Sequence, residues 1–211
     1  MSLLESLKRP FTHTLALFLV LLATGLPLAV LYTPTAVSAA ESIRTITFIA
    51  PYGWLLRNLH YWATVLLLLT ITLQLLLVLF TGHSRPPQRR NWLWGLAALL
   101  LSGLLAFSGF VLRWDVDTVG ALTAVANLLR QTPFGGAEIT DATVGRLYLW
   151  HVVGLSAPLL LLLGWQVFKN RAIPRISQRE GVVLLALLCL LMGLALWVDA
   201  PLAPAVLEWG G

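Results

Sequence analysis

Residues 55–80 read LLRNLHYWATVLLLLTITLQLLLVLF, an apolar run that is interrupted near its start by Arg57 and His60. A helix needs about 20 apolar residues to cross a hydrocarbon core of roughly 30 Å, and this run exceeds that length. It therefore predicts a membrane-spanning helix with one histidine embedded in it. Because an ionisable group inside a membrane span is costly, the histidine points to a function.

Four other segments meet the same length and hydropathy criterion, so the sequence predicts five spans. The chain of 211 residues is 58% hydrophobic and only 11% charged, which leaves too little polar surface to enclose a water-soluble core. We predict an all-α integral membrane bundle, with an amphipathic surface helix over residues 117–130 in the loop after the third span. The other four predicted spans are residues 14–32, 92–112, 147–168 and 181–197.

The first predicted span also has the features of a secretory signal. Lys8 and Arg9 precede an apolar run, and small residues at 37–40 (VSAA) resemble a cleavage site. The apolar run is long for the core of a signal peptide. We therefore expect a retained membrane span.

The positions of the charged residues predict how the chain is oriented in the membrane. They also offer an explanation for the net charge of +5 that does not require binding to nucleic acid. Nine of the fourteen Lys and Arg residues precede the first span or lie between the second and third or the fourth and fifth spans. By the positive-inside rule these regions are cytoplasmic, so the N-terminus is predicted to be cytoplasmic and the C-terminus outside. The nine residues are Lys8, Arg9, Arg85, Arg89, Arg90, Lys169, Arg171, Arg175 and Arg179.

His60 and His151 fall at matching depths in the second and fourth predicted spans, both of which begin at the outer face. Two neutral imidazoles at one level on two helices are the axial ligands that a bis-histidine haem iron requires. A hydrogen-bonded pair of polar residues that stabilises the bundle is the alternative. The histidines by themselves leave both interpretations open.

Four neighbouring residues favour the haem. Arg57 and Arg146 lie close to the two histidines at the outer interface, where haem propionates would emerge, and guanidinium groups bind carboxylates bidentately. Gly25 and Gly109 lie at similar depth in the first and third spans, where they would leave clearance for a flat ring. Close helix packing is the alternative explanation for either glycine.

Four segments resemble the cytochrome b and b6 family, in the family's order. Residues 53–63 (GWLLRNLHYWA) resemble the segment of the first haem ligand, and residues 108–115 (SGFVLRWD) are similar to the GYxLPWD segment. Residues 143–151 (TVGRLYLWH) match the TxxRFYxxH pattern, and residues 199–202 (DAPL) resemble the segment after the fifth helix of bacterial cytochromes b. The resemblance covers nearly the whole chain.

The family carries a second, inner haem, whose histidines lie about fourteen residues further along each helix, about 21 Å away and within roughly 40° of the same face. Here these positions hold Gln74 and, at a spacing of fifteen, Gln166, with Trp165 as the alternative at fourteen. Phe11 replaces the glycine that would clear the inner haem. We therefore predict one haem b and a vacated inner site, where Gln74 and Gln166 can hydrogen-bond across helices.

The resemblance implies a membrane-anchored b-type cytochrome subunit of a respiratory or photosynthetic complex similar to quinol–cytochrome c reductase. With a single outer haem, the chain would not be catalytic alone. It would exchange electrons with quinol or quinone, or with an outer-face partner such as a c-type cytochrome or an iron–sulfur protein. Arg113 replaces the family's proline and adds a cation beside the expected propionates.

The resemblance also implies the domain organisation and the location. Residues 1–175 are the expected four-helix haem domain, residues 176–211 are the fifth helix with a short outer-face tail, and the location is the bacterial inner membrane. A haem-free scaffold that anchors partner redox subunits is the alternative function. A transporter is a weak third candidate, because the spans show neither broken helices nor midplane charges.

Overall fold

A computed structural model describes residues 12–80, 89–131, 139–169 and 178–205. Phe11 and the predicted domain boundary at residue 175 lie outside these ranges. The described residues form eight α-helices and one π-helical turn. The helices are α1 (Thr12–Leu31), α2 (Ala39–Phe48), α3 (Gly53–Phe80), α4 (Arg89–Val111), α5 (Val116–Arg130), α6 (Asp141–Leu149), α7 (Ser156–Lys169) and α8 (Gln178–Trp197), and the π-helical turn is Trp150–Leu155.

Five stretches of helix are long and apolar enough to cross a membrane, and each covers nearly all of one predicted span. They are α1, α3, α4, the continuous run Ala142–Lys169 formed by α6, the π-helical turn and α7, and Glu180–Trp197 in α8. The predicted surface helix is α5, which begins one residue earlier than expected. The all-α membrane fold with five spans is therefore confirmed, whereas the orientation of the termini stays a prediction.

Helix α3 occupies the centre of the bundle, where it contacts α1, α4 and α8, and α7 packs against α1 and α4 on the other side. A continuous apolar core joins these helices, because leucines spaced along each helix face inward. The chain direction alternates along the bundle. One end of the bundle therefore contains the C-terminal ends of α1, α4 and α8 together with the N-terminal ends of α3 and α6.

A sharp turn between α2 and α3 sets where α3 begins. Tyr52 adopts a left-handed backbone conformation with φ of 57°, and the Gly53 amide donates to the Ala50 carbonyl oxygen at 3.0 Å. A side chain at residue 53 would overlap the carbonyl oxygen of Ile46 in α2. The short helix α2, which the sequence analysis did not predict, is therefore packed closely against the start of α3.

We expect Gly53→Ala to destabilise the protein, because the new methyl group would meet the backbone of Ile46, which cannot move aside as a flexible side chain can. Overpacking of this kind typically lowers the free energy of unfolding by about 1–3 kcal/mol. Thermal unfolding in detergent, followed by circular dichroism, measures the change.

Gly103→Ala in α4 is the matched control, because nothing lies within 4 Å of the methyl group it adds. Alanine is favoured over glycine inside a helix by about 1 kcal/mol, so this variant should be as stable as the wild type or more stable. Equal stability of the two variants would contradict the packing of α2 against α3.

Candidate functional site

A cavity of about 390 Å³ lies between α1, α3, α4 and the π-helical turn, in the part of the bundle that contains His60 and His151. We call this part the histidine half. The cavity walls are mostly aliphatic and aromatic. Both histidines line the cavity, and so do Arg57 and Arg113 at its mouth. Ligand sites typically enclose about 300–1,000 Å³ and combine apolar walls with a few polar groups, as this cavity does.

The imidazole rings of His60 and His151 lie with their centroids 6.3 Å apart and their planes at 63°. The sequence placed these two residues at one depth on separate helices, and the structure brings them together across the cavity. An imidazole–metal bond is about 2.0–2.1 Å long in zinc sites, so the separation is short enough for one metal atom to bind both rings.

Hydroxyl groups hold the Nδ1 atom of each histidine. Thr24 Oγ1 donates to the Val20 carbonyl oxygen and lies 3.1 Å from Nδ1 of His60. Ser108 Oγ donates to the Leu105 carbonyl oxygen, and both of these oxygens lie within 3.1 Å of Nδ1 of His151. Since these hydroxyl protons are already used, each Nδ1 carries the proton and donates. The Nε2 lone pairs are then left for a metal, and the hydrogen bonds to Nδ1 fix the orientation of each ring.

The two predicted glycines lie against the histidine rings. A methyl group at Gly25 would lie 2.9 Å from Cε1 of His60, and one at Gly109 would lie 2.6 Å from Cε1 of His151. Real side chains do not approach that closely. The absence of a side chain at each glycine therefore leaves room for the edge of a histidine ring.

Arg57 and Arg113 both present guanidinium groups at the mouth of the cavity. The Nε atom of each is buried and has no hydrogen-bond partner in the part of the chain that the structure describes, and a buried donor is costly unless an acceptor meets it. Arg146, in contrast, is exposed and does not line the cavity. The structure therefore brings two of the three predicted arginines to the site.

Tyr32 and Tyr148 close one wall of the cavity. Their rings stack at 5.8 Å, and Tyr32 Oη donates to the Leu112 carbonyl oxygen at 2.7 Å. Burial, with a smaller contribution from Tyr148, raises the pKa of Tyr32 well above its usual value, so the hydroxyl stays protonated and remains a donor. Neither tyrosine is among the site residues predicted from the sequence.

The π-helical turn Trp150–Leu155 decides which residue lies opposite Gln74 in the other half of the bundle. Its hydrogen bonds run from i to i+5, so it accommodates one residue more than an α-helical turn. Gln166, fifteen residues after His151, is consequently fully buried, whereas Trp165 is 57% exposed. Of the two alternatives that the sequence left open, the structure turns Gln166 into the bundle.

We call this other half, which contains Gln74 and Gln166, the glutamine half. Gln74 Oε1 accepts a hydrogen bond from Thr14 Oγ1 at 3.2 Å. The side-chain nitrogens of both glutamines and Oε1 of Gln166 have no partner among the described residues. The structure therefore does not contain the expected hydrogen bond between the two glutamines, and Thr14 is the partner of Gln74 instead.

The two glutamines are buried beside apolar side chains of the bundle core. Neither glutamine lines the cavity of the histidine half. The two halves of the bundle therefore place different side chains at corresponding positions. The buried core residues near the glutamines include Leu17, Ile71, Leu163 and Val167.

A family model described as Cytochrome b/b6/petB matches residues 10–168 of this chain. The chain belongs to the cytochrome b/b6 family. A cytochrome b6 of Heliobacterium mobile is 36% identical over 164 residues, which cover 73% of this chain and 76% of the relative. A cytochrome b6 of Heliomicrobium gestii is 32% identical over 71% of this chain and 75% of its own length. One of Cyanidium caldarium is 31% identical over 71% and 74%.

A chain of a solved structure titled "Hyperthermophilic respiratory Complex III" superposes with a TM-score of 0.74 at 21% identity. The superposition covers 87% of this chain and 58% of the solved chain, so the two share a fold over a little more than half the length of the larger one. The resemblance to the cytochrome b family is therefore confirmed in both sequence and fold. The chain is a multi-pass membrane protein of that family.

Membership of the cytochrome b family implies that the chain binds haem b, and the donor set in the cavity fits that cofactor. The described residues contain no group of three or more His, Cys, Asp or Glu side chains that could hold a bare metal ion. Two imidazoles suffice for a haem iron, because the porphyrin supplies the remaining ligands. The unpartnered Nε atoms of Arg57 and Arg113 fit the propionates of the same cofactor.

We expect Gln166→Leu to stabilise the protein. A buried amide without a partner typically costs about 1–3 kcal/mol, and leucine of similar size removes both unpaired atoms. Thermal unfolding in detergent should show a higher midpoint temperature for this variant than for the wild type.

Gln74→Leu is the matched control in the opposite helix. It should gain less stability, because it leaves the Thr14 hydroxyl without its acceptor. Trp165→Leu should have little effect, since Trp165 lies on the exterior. A large effect of Trp165→Leu together with none of Gln166→Leu would contradict the register that the π-helical turn sets.

Proposed function

We propose that this chain is a single-haem, electron-transfer subunit of a membrane redox complex, with its haem b between His60 and His151. The observation that carries the proposal is the pair of imidazoles 6.3 Å apart across one apolar cavity. Haem b supplies one-electron transfer between the ferric and ferrous states. The residues of this chain bind the cofactor, orient it and keep water from it.

The haem-binding role of each residue follows from its contacts. His60 and His151 would supply axial nitrogens, with Thr24 and Ser108 holding the two rings in place. Arg57 and Arg113 would bind the propionates through their unpartnered Nε atoms. Gly25 and Gly109 allow the imidazoles to lie close against α1 and α4.

The contrast between the two halves supports a single haem. The histidine half holds a cavity lined by two side chains that can bind a metal, whereas the corresponding positions in the glutamine half carry buried amides beside buried leucines. An amide is a poor ligand for haem iron. We therefore propose one haem b per chain, on the outer side of the membrane.

A single haem close to one membrane face would exchange electrons with a quinol or quinone, or with an outer-face protein such as a c-type cytochrome or an iron–sulfur protein. A chain with one such centre cannot carry electrons across the whole membrane by itself. We therefore propose that it works only together with other subunits of a respiratory or photosynthetic complex in a bacterial inner membrane.

A haem-free scaffold subunit is the second candidate, and the cavity argues against it. Protein interiors are closely packed, so a scaffold gives no reason for an apolar cavity of this size. It also gives no reason for two half-buried imidazoles that line this cavity with their Nδ1 atoms held by hydroxyl and carbonyl oxygens.

We expect His60→Ala and His151→Ala each to abolish haem binding, because each removes one axial nitrogen. Gln74→Leu and Gln166→Leu should retain haem at the wild-type stoichiometry. Dithionite-reduced minus oxidised spectra, with haem quantified per chain, distinguish these results. A wild-type protein without a b-type α-band would favour the scaffold, and loss of half the haem in either glutamine variant would contradict the single site.

We also expect Gly109→Ala to disturb haem ligation, because its methyl group would lie 2.6 Å from Cε1 of His151 and force the ring to move. Electron paramagnetic resonance of the oxidised protein should show changed g-values, together with a lower haem content. Gly103→Ala, on the open side of the same helix, should leave the spectrum unchanged. Identical spectra for both variants would contradict the proposed position of His151.

A further inference from the structure

The segment after α8 crosses the mouth of the cavity. We call residues 198–205 the tail strap. Its residues Ala200 and Pro201 are part of the cavity lining, beside Arg57 and Arg113. The family model matches only residues 10–168, so the tail strap lies beyond the matched region.

Asn58 in α3 holds the first part of the tail strap. Asn58 is 3% exposed, and its amide nitrogen donates to the Ala195 carbonyl oxygen at 3.0 Å and to Asp199 Oδ1 at 3.1 Å. Its amide oxygen accepts from the Ala200 backbone nitrogen at 3.0 Å. All the hydrogen-bonding groups of this buried side chain therefore face α8 and the strap.

Asp115, in the turn between α4 and α5, holds the far end of the tail strap. It is 1% exposed, and its Oδ2 accepts from the Ala203 nitrogen at 3.2 Å and pairs with Arg113 at 3.0 Å. Its Oδ1 also caps α5 by accepting from the Thr118 nitrogen at 3.1 Å. One buried carboxylate thus joins the strap, the surface helix and an arginine of the cavity mouth.

The carbonyl groups of the tail strap bind both arginines of the cavity mouth. Arg57 donates to the Ala200 and Pro201 carbonyl oxygens, and Arg113 donates to the Pro201 carbonyl oxygen at 3.1 Å. The two guanidinium groups are therefore fixed by their terminal nitrogens. Their Nε atoms stay buried, and none of the described residues offers them a hydrogen-bond acceptor.

We propose that the tail strap is a positioning element of the haem site, which fixes Arg57 and Arg113 toward the propionates and covers the exposed edge of the cofactor. This inference rests on the proposed haem function. It assigns to the fifth helix and its tail a role in the site itself, with Asn58 and Asp115 as the positioning residues.

The tail strap should raise the reduction potential of the haem and slow its loss. Fixed guanidinium cations and the exclusion of water both favour the ferrous state over the more positively charged ferric state. When the strap is released, water reaches the propionate edge and the arginines turn outward. Both changes lower the potential and open a route for the haem to leave.

Asn58→Leu in the full-length protein tests the proposal, because leucine cannot hold Ala200 or Asp199. The variant should keep stoichiometric haem with a lower midpoint potential. Haem transfer to excess apomyoglobin should be about tenfold faster. Loss of a residue that supports the ligands of a metal typically weakens binding by about this factor. Hydrogen exchange at the Ala200 and Ala203 amides should also be faster.

Asp115→Asn provides a second variant. Its new amide nitrogen cannot accept from Ala203 or pair with Arg113, so the same three changes are expected. Asp117→Asn is the matched control, since Asp117 is exposed at the start of the same helix, and it should match the wild type in all three measurements.

Two results would overturn different claims. Faster exchange at the strap amides with an unchanged potential and haem-transfer rate would overturn the positioning role alone. A wild-type protein that carries no haem would overturn the proposed function on which this inference rests.

Discussion

The placement of two neutral imidazoles at one level inside an apolar helix bundle is the constraint on which the rest of the structure depends. Each ring needs a hydrogen-bond partner for one nitrogen, and the hydroxyls of Thr24 and Ser108 supply it from neighbouring helices. Each ring also needs space, which Gly25 and Gly109 provide. With Nδ1 held in this way, Nε2 is the nitrogen of each ring that is left to bind a metal.

The histidine half and the glutamine half show how one bundle can keep one haem site and close another. Helix α3 is a regular α-helix from His60 to Gln74, whereas the path from His151 to Gln166 contains a π-helical turn. That turn adds one residue and brings Gln166 inward. Both amides are then buried in the core, beside apolar residues such as Ile71 and Leu163, and neither lines the cavity.

Much of the fold could be predicted from the sequence, because hydropathy and length alone identify membrane helices. The histidine pair could be predicted because the second and fourth spans both begin at the same face of the membrane. Residues at equal distances from the starts of these two helices therefore lie at one level. The inward position of Gln166 is expected from the resemblance, at a spacing of fifteen residues, and its burial agrees with that expectation. The π-helical turn behind this spacing could not be predicted, since such a turn leaves no pattern in a leucine-rich run. Two further features could not be predicted: the exposure of Arg146, and the hydrogen bonds by which Asn58 anchors residues 198–205. Both depend on contacts between segments that are distant in sequence, and the periodicity of a sequence does not encode such contacts.

A cryo-electron microscopy map of the purified membrane complex would show the position and the number of the haem groups. We predict porphyrin density at one place in this chain, between His60 and His151, with its propionates toward Arg57 and Arg113. A second porphyrin beside Gln74 and Gln166, or histidine rings packed together with no porphyrin between them, would contradict the account.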